Sequence, residues 1–189
     1  VVTGASGLLG KMHVEAIASQ GGIPVIVDIN EDGLNEVYSH ILSEYSIECF
    51  IEIVDIINED ELLSSSLRII EKYGKIDGLV NNAARNPSVS KDQKINFNRL
   101  ESFDRNVWDL DLSVGVTGSF LCIKYYGHQI SLNANGGSIV NISSDLGVIA
   151  PDQRIYQKEG LDKEKQPVKP VSYSVVKSAL LGLSRYVAT

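Results

Sequence analysis

The stretch SYSVVKSAL places a phenol and an amine four residues apart, at Tyr173 and Lys177. The surrounding apolar pattern predicts a helix, and residues four apart lie on the same face of a helix. An ammonium group beside a phenol stabilises the phenolate form, which suits such a pair to proton exchange with a substrate. The same spacing is also typical of ordinary surface pairs, so the chemistry depends on the other residues that the fold brings near.

A pair of serines, Ser143 and Ser144, supplies a second candidate group in the stretch GGSIVNISS. This stretch is predicted to be a buried strand that ends at the serines. Both hydroxyls then lie at the carboxyl edge of a parallel sheet, which is where open α/β folds bind their ligands. A hydroxyl at that edge could polarise the carbonyl group of a substrate.

Three glycines, Gly4, Gly7 and Gly10, follow the apolar start of VVTGASGLLG. A strand, a glycine-rich turn and a helix N-terminus form a seat for an anion, because backbone N–H groups and the helix dipole face the ligand. The absence of side chains at Gly4 and Gly7 would admit a pyrophosphate, and Gly10 would let the helix pack closely on the sheet. The alternative is a tight turn that needs glycine backbone angles.

Asp28 ends the second predicted strand, IPVIVDI, 18 residues after Gly10. Its carboxylate can accept hydrogen bonds from the ribose hydroxyls of an adenosine, and it would repel a 2′-phosphate. No Lys or Arg follows Asp28 immediately, so the sequence favours NAD over NADP. Asp28 could also cap the helix that follows it, and the two roles are compatible.

The elements that must hold these residues alternate along the chain. The sequence predicts strands at 1–4, 23–29, 47–56, 75–83 and 136–144, and helices at 8–21, 31–45, 59–74, about 100–132 and 171–189, with a polar loop from Arg85 to about Asn98. Val- and Ile-rich strands that alternate with helices are typical of a parallel sheet covered on both faces. We therefore expect a doubly wound, three-layer α/β/α fold in a single domain over residues 1–189, truncated at both ends and incomplete at the C-terminus.

Composition limits the partners. The net charge is −7, which argues against nucleic acid and anionic membrane surfaces. No apolar run approaches the roughly 20 residues that span a bilayer, and no signal peptide is apparent. Cys49 and Cys122 are too few for a disulfide framework, so we expect buried reduced thiols and a cytoplasmic protein. The histidines show no metal-binding spacing with the cysteines, and no metal is expected.

Together these motifs resemble those of the short-chain dehydrogenase/reductase family, whose members have an NAD(P)-binding Rossmann fold. The resemblance covers nearly the whole chain and rests on TGASGLLG, VDI, NNAA, GSIVNISS and YSVVK, in the family's order. It implies hydride transfer between a nicotinamide and an alcohol or carbonyl group of a small-molecule substrate.

The resemblance also implies individual roles. Tyr173 would be the proton donor and acceptor, Lys177 would favour its ionised form and hold the nicotinamide ribose, and Ser144 would position the carbonyl oxygen. Asp55 would lie beside the adenine. The cofactor-binding residues implied in this way are Gly4, Ser6, Gly7, Leu9, Gly10, Asp28, Ile29, Asp55, Ile56, Asn81, Ala83, Tyr173 and Lys177.

Three features depart from the family's usual short form. The glycine spacing is TGxxGxxG, as in the extended, sugar-nucleotide branch, rather than TGxxxGxG. Gly115, in VGVTG, stands where the family usually has an Asn that helps to hold a helix kink and a proton-relay water. The gap from Ser144 to Tyr173 is 29 residues, about twice that of the short branch.

The long gap contains APDQRIYQKEGLDKEKQPVKP, which we expect to overhang the substrate, because such loops commonly carry specificity. Arg154 and Tyr156 are the candidates for gripping a polar or anionic substrate. A solvated, mixed-charge loop is an equally good interpretation of 158–169. This loop and VGVTGSFLC together resemble oxidoreductases of bacterial surface-sugar and flagellin-modification pathways, which implies a sugar-like substrate.

Two other functions remain open from the sequence. A sugar-nucleotide epimerase or dehydratase would use NAD transiently, which the glycine spacing and the long gap favour and NNAA opposes. A non-catalytic NAD-binding regulator is supported only by Gly115. The resemblance also implies a homodimer or homotetramer, assembled through the long helix and the helix that carries Tyr173.

Overall fold

A five-stranded parallel sheet organises the computed structural model, which describes residues 1–85 and 98–189. Its order is β3-β2-β1-β4-β5, and every pair of neighbours is parallel. The strands are β1 (Val2–Thr3), β2 (Val25–Asp28), β3 (Phe50–Ile53), β4 (Gly78–Asn81) and β5 (Ser138–Asn141). This order reverses direction at β1, so connecting helices cover both faces. The predicted α/β fold with a parallel sheet is confirmed.

Seven α-helices of the described chain connect or follow the strands. They are α1 (Leu8–Ser19), α2 (Glu31–Tyr45), α3 (Glu59–Tyr73), α4 (Arg105–Leu112), α5 (Ser119–Cys122), α6 (His128–Ser131) and α7 (Val171–Val187). The π-helical segments Ser113–Gly118 and Ile123–Gly127 join α4, α5 and α6 into one continuous helical run. Short 3₁₀ turns occupy Leu100–Ser102, Asp145–Gly147, Gln153–Tyr156 and Lys163–Lys165.

Capping side chains mark the starts of three helices, α2, α3 and α4. Asn30 accepts from the Gly33 N–H at the start of α2, and Asn58 caps α3 in the same way. The long helix begins at Arg105 rather than near Leu100 as predicted, because the Asp104 carboxylate caps it by accepting from the backbone N–H groups of Asn106 and Val107. Most of the predicted polar loop, 86–97, lies outside the described residues.

The structure divides into two compact units, Val1–Ala84 with Thr117–Ile142, and Arg85–Val116 with Ser143–Thr189. The first contains the whole sheet and α1 to α3. The second contains α4, α7 and the 3₁₀ turns that precede α7. The core of the first unit joins buried side chains of β1, β2, α1 and α2 and of the segments after β1 and before β3: Val2, Ala5, Val14, Ala18, Ile26, Leu34, Val37, Ile41 and Cys49.

Two pairs of polar groups buried in the first unit involve α3. The Glu52 carboxylate on β3 is only 3% exposed, and it accepts from Arg68 Nε on α3 at 3.0 Å. The hydroxyl of the fully buried Tyr126 donates to Ser65 Oγ at 2.8 Å. These pairs satisfy groups whose burial without a partner would be costly, so they help to fix α3 against the sheet.

Candidate active site

The glycine-rich turn between β1 and α1 is held by close backbone packing. Gly4 has φ +63°, and a Cβ on it would lie 2.8 Å from Ala83 Cα. A Cβ on Gly10 would collide with the Gly4 carbonyl oxygen and would lie 2.8 Å from Ala5 Cα. Gly10 therefore lets α1 approach the end of β1, as predicted, and Gly4 is also required by the turn itself.

The N-terminus of α1 fits a phosphate group. Gly7 is the N-cap residue, it offers no capping side chain, and the first turn of α1 contains no acidic residue. The first N–H groups of a helix have no partner inside the helix, so they are available to an anion. Leu8 is 86% exposed and Leu9 is also exposed, so neither side chain fills the core beneath the turn.

Asp28 joins the end of β2 to the same turn. Its Oδ2 accepts from Ser6 N at 3.0 Å and from Ser6 Oγ at 2.7 Å, and its Oδ1 accepts from Asn30 N at 3.2 Å. These bonds fix the carboxylate. Each carboxylate oxygen has two lone-pair sites, so one acceptor site, on Oδ1, remains for a ribose hydroxyl. Ile29, which follows Asp28, is exposed.

The end of β4 is tied to the end of β1 through Thr3. Thr3 Oγ1 accepts from the N–H groups of Asn82 and Ala83, each at 3.1 Å. Asn82 Nδ2 in turn donates to Thr3 O at 3.0 Å and to Gly4 O at 3.1 Å. Our sequence reasoning selected Asn81 and Ala83 but missed the anchoring role of Asn82. The second Asn of NNAA was the only available signal.

The other predicted cofactor residues of the first unit differ in their surroundings. Asn81 is buried and donates from Nδ2 to Asn141 Oδ1 at 2.8 Å, so its amide joins β4 to β5. Asp55 Oδ1 accepts from Ile57 N at 3.2 Å, which makes a tight turn after β3. Ile56 is buried and packs against the backbone of Gly118.

Within the second unit, Tyr173 and Lys177 lie one turn apart on α7, as predicted. Lys177 is buried, being only 7% exposed, and its Nζ lies 5.8 Å from the centroid of the Tyr173 ring. The pKa of Lys177 is lowered, first by burial and then by the charge of Lys169. Lys169 was not among the predicted site residues, yet its Nζ lies over the Tyr173 ring, 3.7 Å from the centroid.

The two serines after β5 face different partners. Ser143 Oγ donates to the Lys177 carbonyl oxygen at 2.7 Å, so it binds the backbone of α7. Ser144 Oγ donates to Asp145 Oδ1 at 2.7 Å and accepts from Leu146 N at 3.2 Å. Ser144 therefore caps the 3₁₀ turn Asp145–Gly147, which contacts α7.

A buried carboxylate that sequence reasoning missed holds the residue before Tyr173. Asp111 on α4 is buried and accepts from Ser172 Oγ at 2.6 Å. Arg85 Nη1 lies 3.5 Å from the other oxygen of the same carboxylate. This cluster fixes the start of α7 against α4. Ser172 is 61 positions from Asp111, so no local pattern in the sequence indicates the pair.

Gly115 packs against the residue that precedes Lys177. A Cβ on Gly115 would collide with Val176 Cγ1. Gly115 lies inside the π-helical segment Ser113–Gly118, and Val176 is buried. The space beside the position of the family Asn is therefore filled by an apolar side chain.

The predicted substrate-gripping residues lie in the 3₁₀ turn Gln153–Tyr156. The Arg154 side chain is 83% exposed, and its Nε and Nη2 donate to the two oxygens of Asp152 at 2.9 and 2.8 Å. The Arg154 guanidinium is therefore already paired with a carboxylate. Tyr156 is half-buried at the end of the turn.

The thiols and the charged groups outside these clusters suggest no further chemistry. Cys49 and Cys122 are free and buried, and burial raises the pKa of Cys49 to about 11 and that of Cys122 further. No group of three His, Cys, Asp or Glu side chains in residues 1–85 and 98–189 could hold a metal ion. In that same part of the chain, no helix combines the length and apolar character needed to cross a membrane.

Comparisons with known proteins place the fold and motifs among dehydrogenases. A family model described as short chain dehydrogenase matches residues 1–156. Short-chain dehydrogenase/reductase aba4 of Botryotinia fuckeliana (strain B05.10) is 29% identical over 187 residues, which are 99% of this chain and 63% of that protein. Post-translational flagellin modification protein A of Campylobacter coli is 30% identical over 190 residues, 99% of this chain and 68% of that protein.

A solved structure shows the same fold. The crystal structure of NAD⁺-bound xylitol dehydrogenase matches with a TM-score of 0.80 and 24% identity, over 99% of this chain and 62% of that chain. The present chain thus spans about 63% of the length of the fungal relative named above.

The contact between Gly115 and Val176 predicts a coupled pair. We expect Gly115→Asn to lower the free energy of unfolding by about 1–3 kcal/mol, because a side chain there must displace Val176. Val176→Ala in the same chain should recover at least about 1 kcal/mol of that loss. Denaturant unfolding of the single and double variants measures the coupling.

Gly182→Ala is the matched control for this experiment, because Gly182 is also helical but has nothing within 4 Å of an added Cβ. It should raise stability by about 0.5–1 kcal/mol. Additive effects of the substitutions at 115 and 176 would contradict the predicted contact.

The lowered pKa of Lys177 predicts a dependence on Lys169. Lys169→Met should raise the pKa of Lys177 toward the ordinary lysine value of 10.5, since it removes a neighbouring positive charge, whereas Lys169→Arg should leave it low. NMR titration of the Lys177 side chain measures the change. In the wild type the unfolded chain binds this proton more readily, so the free energy of unfolding should rise as pH increases through the window below 10.5. An unchanged Lys177 titration in Lys169→Met would contradict the assigned cause.

Proposed function

The chain belongs to the short chain dehydrogenase family, and we propose that the protein is an NAD-dependent oxidoreductase that transfers a hydride between a nicotinamide and an alcohol or carbonyl substrate. The observation that carries the proposal is the pair of Tyr173 and buried Lys177 on one face of α7, with Ser144 in a turn that packs on the same helix. Tyrosine and lysine at this spacing suit proton exchange with a hydroxyl group.

The glycine-rich turn would hold the pyrophosphate of the dinucleotide. The uncapped N-terminus of α1 supplies free N–H groups and the positive end of a helix dipole. Asp28 would accept from the adenosine ribose, and its negative charge would exclude a 2′-phosphate, which favours NAD over NADP. Ser6, Gly7, Leu9 and Ile29 would border the same ligand, and Asp55, Ile56, Asn81 and Ala83 would line the rest of its cleft.

The dinucleotide supplies the acceptor or donor of the hydride, and residues of α7 and its neighbouring turn handle the proton. Tyr173 Oη would take the hydroxyl proton during oxidation and return it during reduction. Lys177 would stabilise the ionised phenol through its ammonium and would also donate to the nicotinamide ribose. Ser144 Oγ would turn from Asp145 to the substrate oxygen, a change that requires only rotation about one side-chain bond.

A polyol or sugar derivative is the proposed substrate class. The resemblance of the loop before α7 and of VGVTGSFLC to surface-sugar and flagellin-modification oxidoreductases supports it, as does the similarity to the flagellin modification protein of Campylobacter coli. Tyr156 is half-buried in the turn that precedes α7, where it could contact such a substrate. Arg154 would contribute only if its bond to Asp152 opened.

We further propose a homodimer or homotetramer in the cytoplasm. The apolar residues Ala179, Leu183 and Val187 follow helical spacing on α7 and are only partly buried within this chain, which suits a surface shared by two copies. Two buried free thiols suit a reducing compartment.

Replacement of the proposed acid–base group tests the chemistry directly. Tyr173→Phe should lower kcat/KM for alcohol oxidation by about 10²–10⁴-fold, because it removes general acid–base catalysis. NADH absorbance during turnover of a polyol panel measures the rate, and calorimetry should show NAD⁺ binding within about threefold of wild type.

Tyr186→Phe is the matched control, since Tyr186 is on the same helix and 78% exposed. It should leave kcat/KM unchanged. Undiminished turnover in Tyr173→Phe would refute the assigned role, and substrate conversion without accumulation of NADH would instead favour an epimerase or dehydratase.

Asp28→Asn tests the cofactor preference. The amide keeps an acceptor for Ser6 but removes the charge, so binding of NADP⁺ relative to NAD⁺ should improve by about tenfold. Calorimetric titration of both dinucleotides into wild type and variant measures the ratio. A wild-type protein that binds both equally well would overturn the preference for NAD.

A further inference from the structure

A cavity of about 340 Å³ lies in the second unit at the N-terminus of α7. Its lining includes Arg99 and Glu101 from the 3₁₀ turn region before α4, Gln153 from the turn before α7, and Lys169 and Ser174 from either side of the helix start. None of these residues is among the sequence-predicted site residues. Several of its lining residues belong to the loop before α7 that the sequence predicts to overhang the substrate, but their individual roles were not predicted.

Positive charge predominates around this cavity. Arg99 and Lys169 are cationic, while Glu101 is the one carboxylate among its described lining residues, with an exposed side chain whose Oε2 is 3.6 Å from Arg99 Nε. Within residues 1–85 and 98–189, no carboxylate lies within ion-pair distance of Lys169 Nζ. An ammonium without an ionic partner in a partly enclosed space favours the binding of an anion.

A second, independent observation is a buried hydroxyl. Ser174 Oγ is inaccessible to solvent and makes no hydrogen bond to any residue that the structure describes. Buried polar groups normally have partners, so an unpaired hydroxyl beside a cavity indicates a missing ligand atom. The N-cap residue of α7, Pro170, provides no capping side chain, so the positive end of the helix dipole also faces this region.

Lys169 connects this cavity to the proposed chemistry. Gln153 Oε1 accepts from Lys169 N at 2.8 Å and Gln153 Nε2 donates to Lys169 O at 3.4 Å, which fixes the Lys169 backbone. The next residue, Pro170, is buried and has a restricted φ, which further limits the backbone here. Lys169 thus lies just before α7, four residues before Tyr173. From there its Nζ reaches the face of the Tyr173 ring, at 3.7 Å from the centroid.

We propose that this cavity binds a carboxylate or phosphate group of the substrate, with Lys169 as the residue that determines specificity for an anionic substrate. This inference rests on the proposed role of Tyr173, because Lys169 would hold the anion close to the reacting hydroxyl. The Ser174 hydroxyl would donate to the same anion after rotation about its Cα–Cβ bond, and Arg99 would add charge. Arg154, the cation expected from the sequence, is already paired with Asp152 and leaves this role to Lys169.

Binding without turnover gives the first test. Inorganic phosphate, sn-glycerol 3-phosphate, D-glycerate and glycerol are titrated calorimetrically into the full chain. At least one organic anion should bind more tightly than glycerol, and Lys169→Met should weaken its binding by about tenfold or more, the value of one lost charge-assisted hydrogen bond. Phosphate and glycerate together distinguish the two kinds of anion.

Matched variants separate charge from fold. Lys169→Arg should retain the affinity within about threefold, since it keeps the cation. Ser174→Ala should weaken anion binding by a smaller factor. Lys158→Met, at an exposed lysine of the same loop, should change nothing. Thermal unfolding of each variant verifies that it folds. Equal anion affinities of wild type and Lys169→Met, or no preference for either anion over glycerol, would overturn the proposal.

Turnover gives the second test and distinguishes this inference from the proposed function. The wild type should oxidise phosphorylated or carboxylated polyols with kcat/KM at least about tenfold above their neutral counterparts, and Lys169→Met should abolish that ratio. If Lys169→Met lowers both rates equally, Lys169 only orients the tyrosine ring and the anion site is refuted while the dehydrogenase survives. If wild type neither binds NAD⁺ nor forms NADH with any polyol, the proposed function fails, whatever the anion titrations show.

Discussion

The position of α7 is the constraint on which the proposed chemistry depends. A lysine ammonium that loses most of its hydration is costly to bury, and the lowered pKa of Lys177 expresses that cost. Contacts within the second unit fix the backbone around Lys177 and so hold this side chain in its buried position. Ser143 binds the Lys177 carbonyl, and Gly147 packs so closely that a Cβ on it would lie 2.7 Å from the Lys177 carbonyl carbon. Both contacts restrict movement of α7 along its axis.

The glycine-rich turn is constrained in a different way. There the backbone itself is the proposed binding surface, and the residues around it hold main-chain groups rather than present side chains. Thr3 and Asn82 bind one side of the turn, and Asp28 binds Ser6 on the other. Because the helix N-terminus is fixed from both sides, its N–H groups are oriented in advance. The proposed binding of a phosphate would then lose less conformational entropy.

This difference explains what the sequence could predict. The glycines, Asp28 and the strand–helix alternation are local patterns with strong backbone consequences, so the fold and the close packing of the glycine-rich turn could be predicted directly. The four-residue spacing of Tyr173 and Lys177 likewise predicted that they share one face of a helix. In contrast, Asp111 and Ser172 meet from 61 positions apart, and Gln153 holds Lys169 through a loop without periodicity. Charge alone could not separate Lys169 from Arg154, because only the fold shows which cation already has a carboxylate partner.

Gly115 shows how a departure from a family pattern can be compensated by a neighbour. The π-helical segment Ser113–Gly118 persists although the residue usually associated with the helix kink is missing. A glycine at 115 allows Val176 to approach the helix backbone, and the buried Val176 side chain occupies the space beside it. Such a site is packed and apolar, so it offers few partners to an ordered water. In the proposed reaction, the two cations beside Tyr173, Lys177 and Lys169, would then stabilise more of the developing charge.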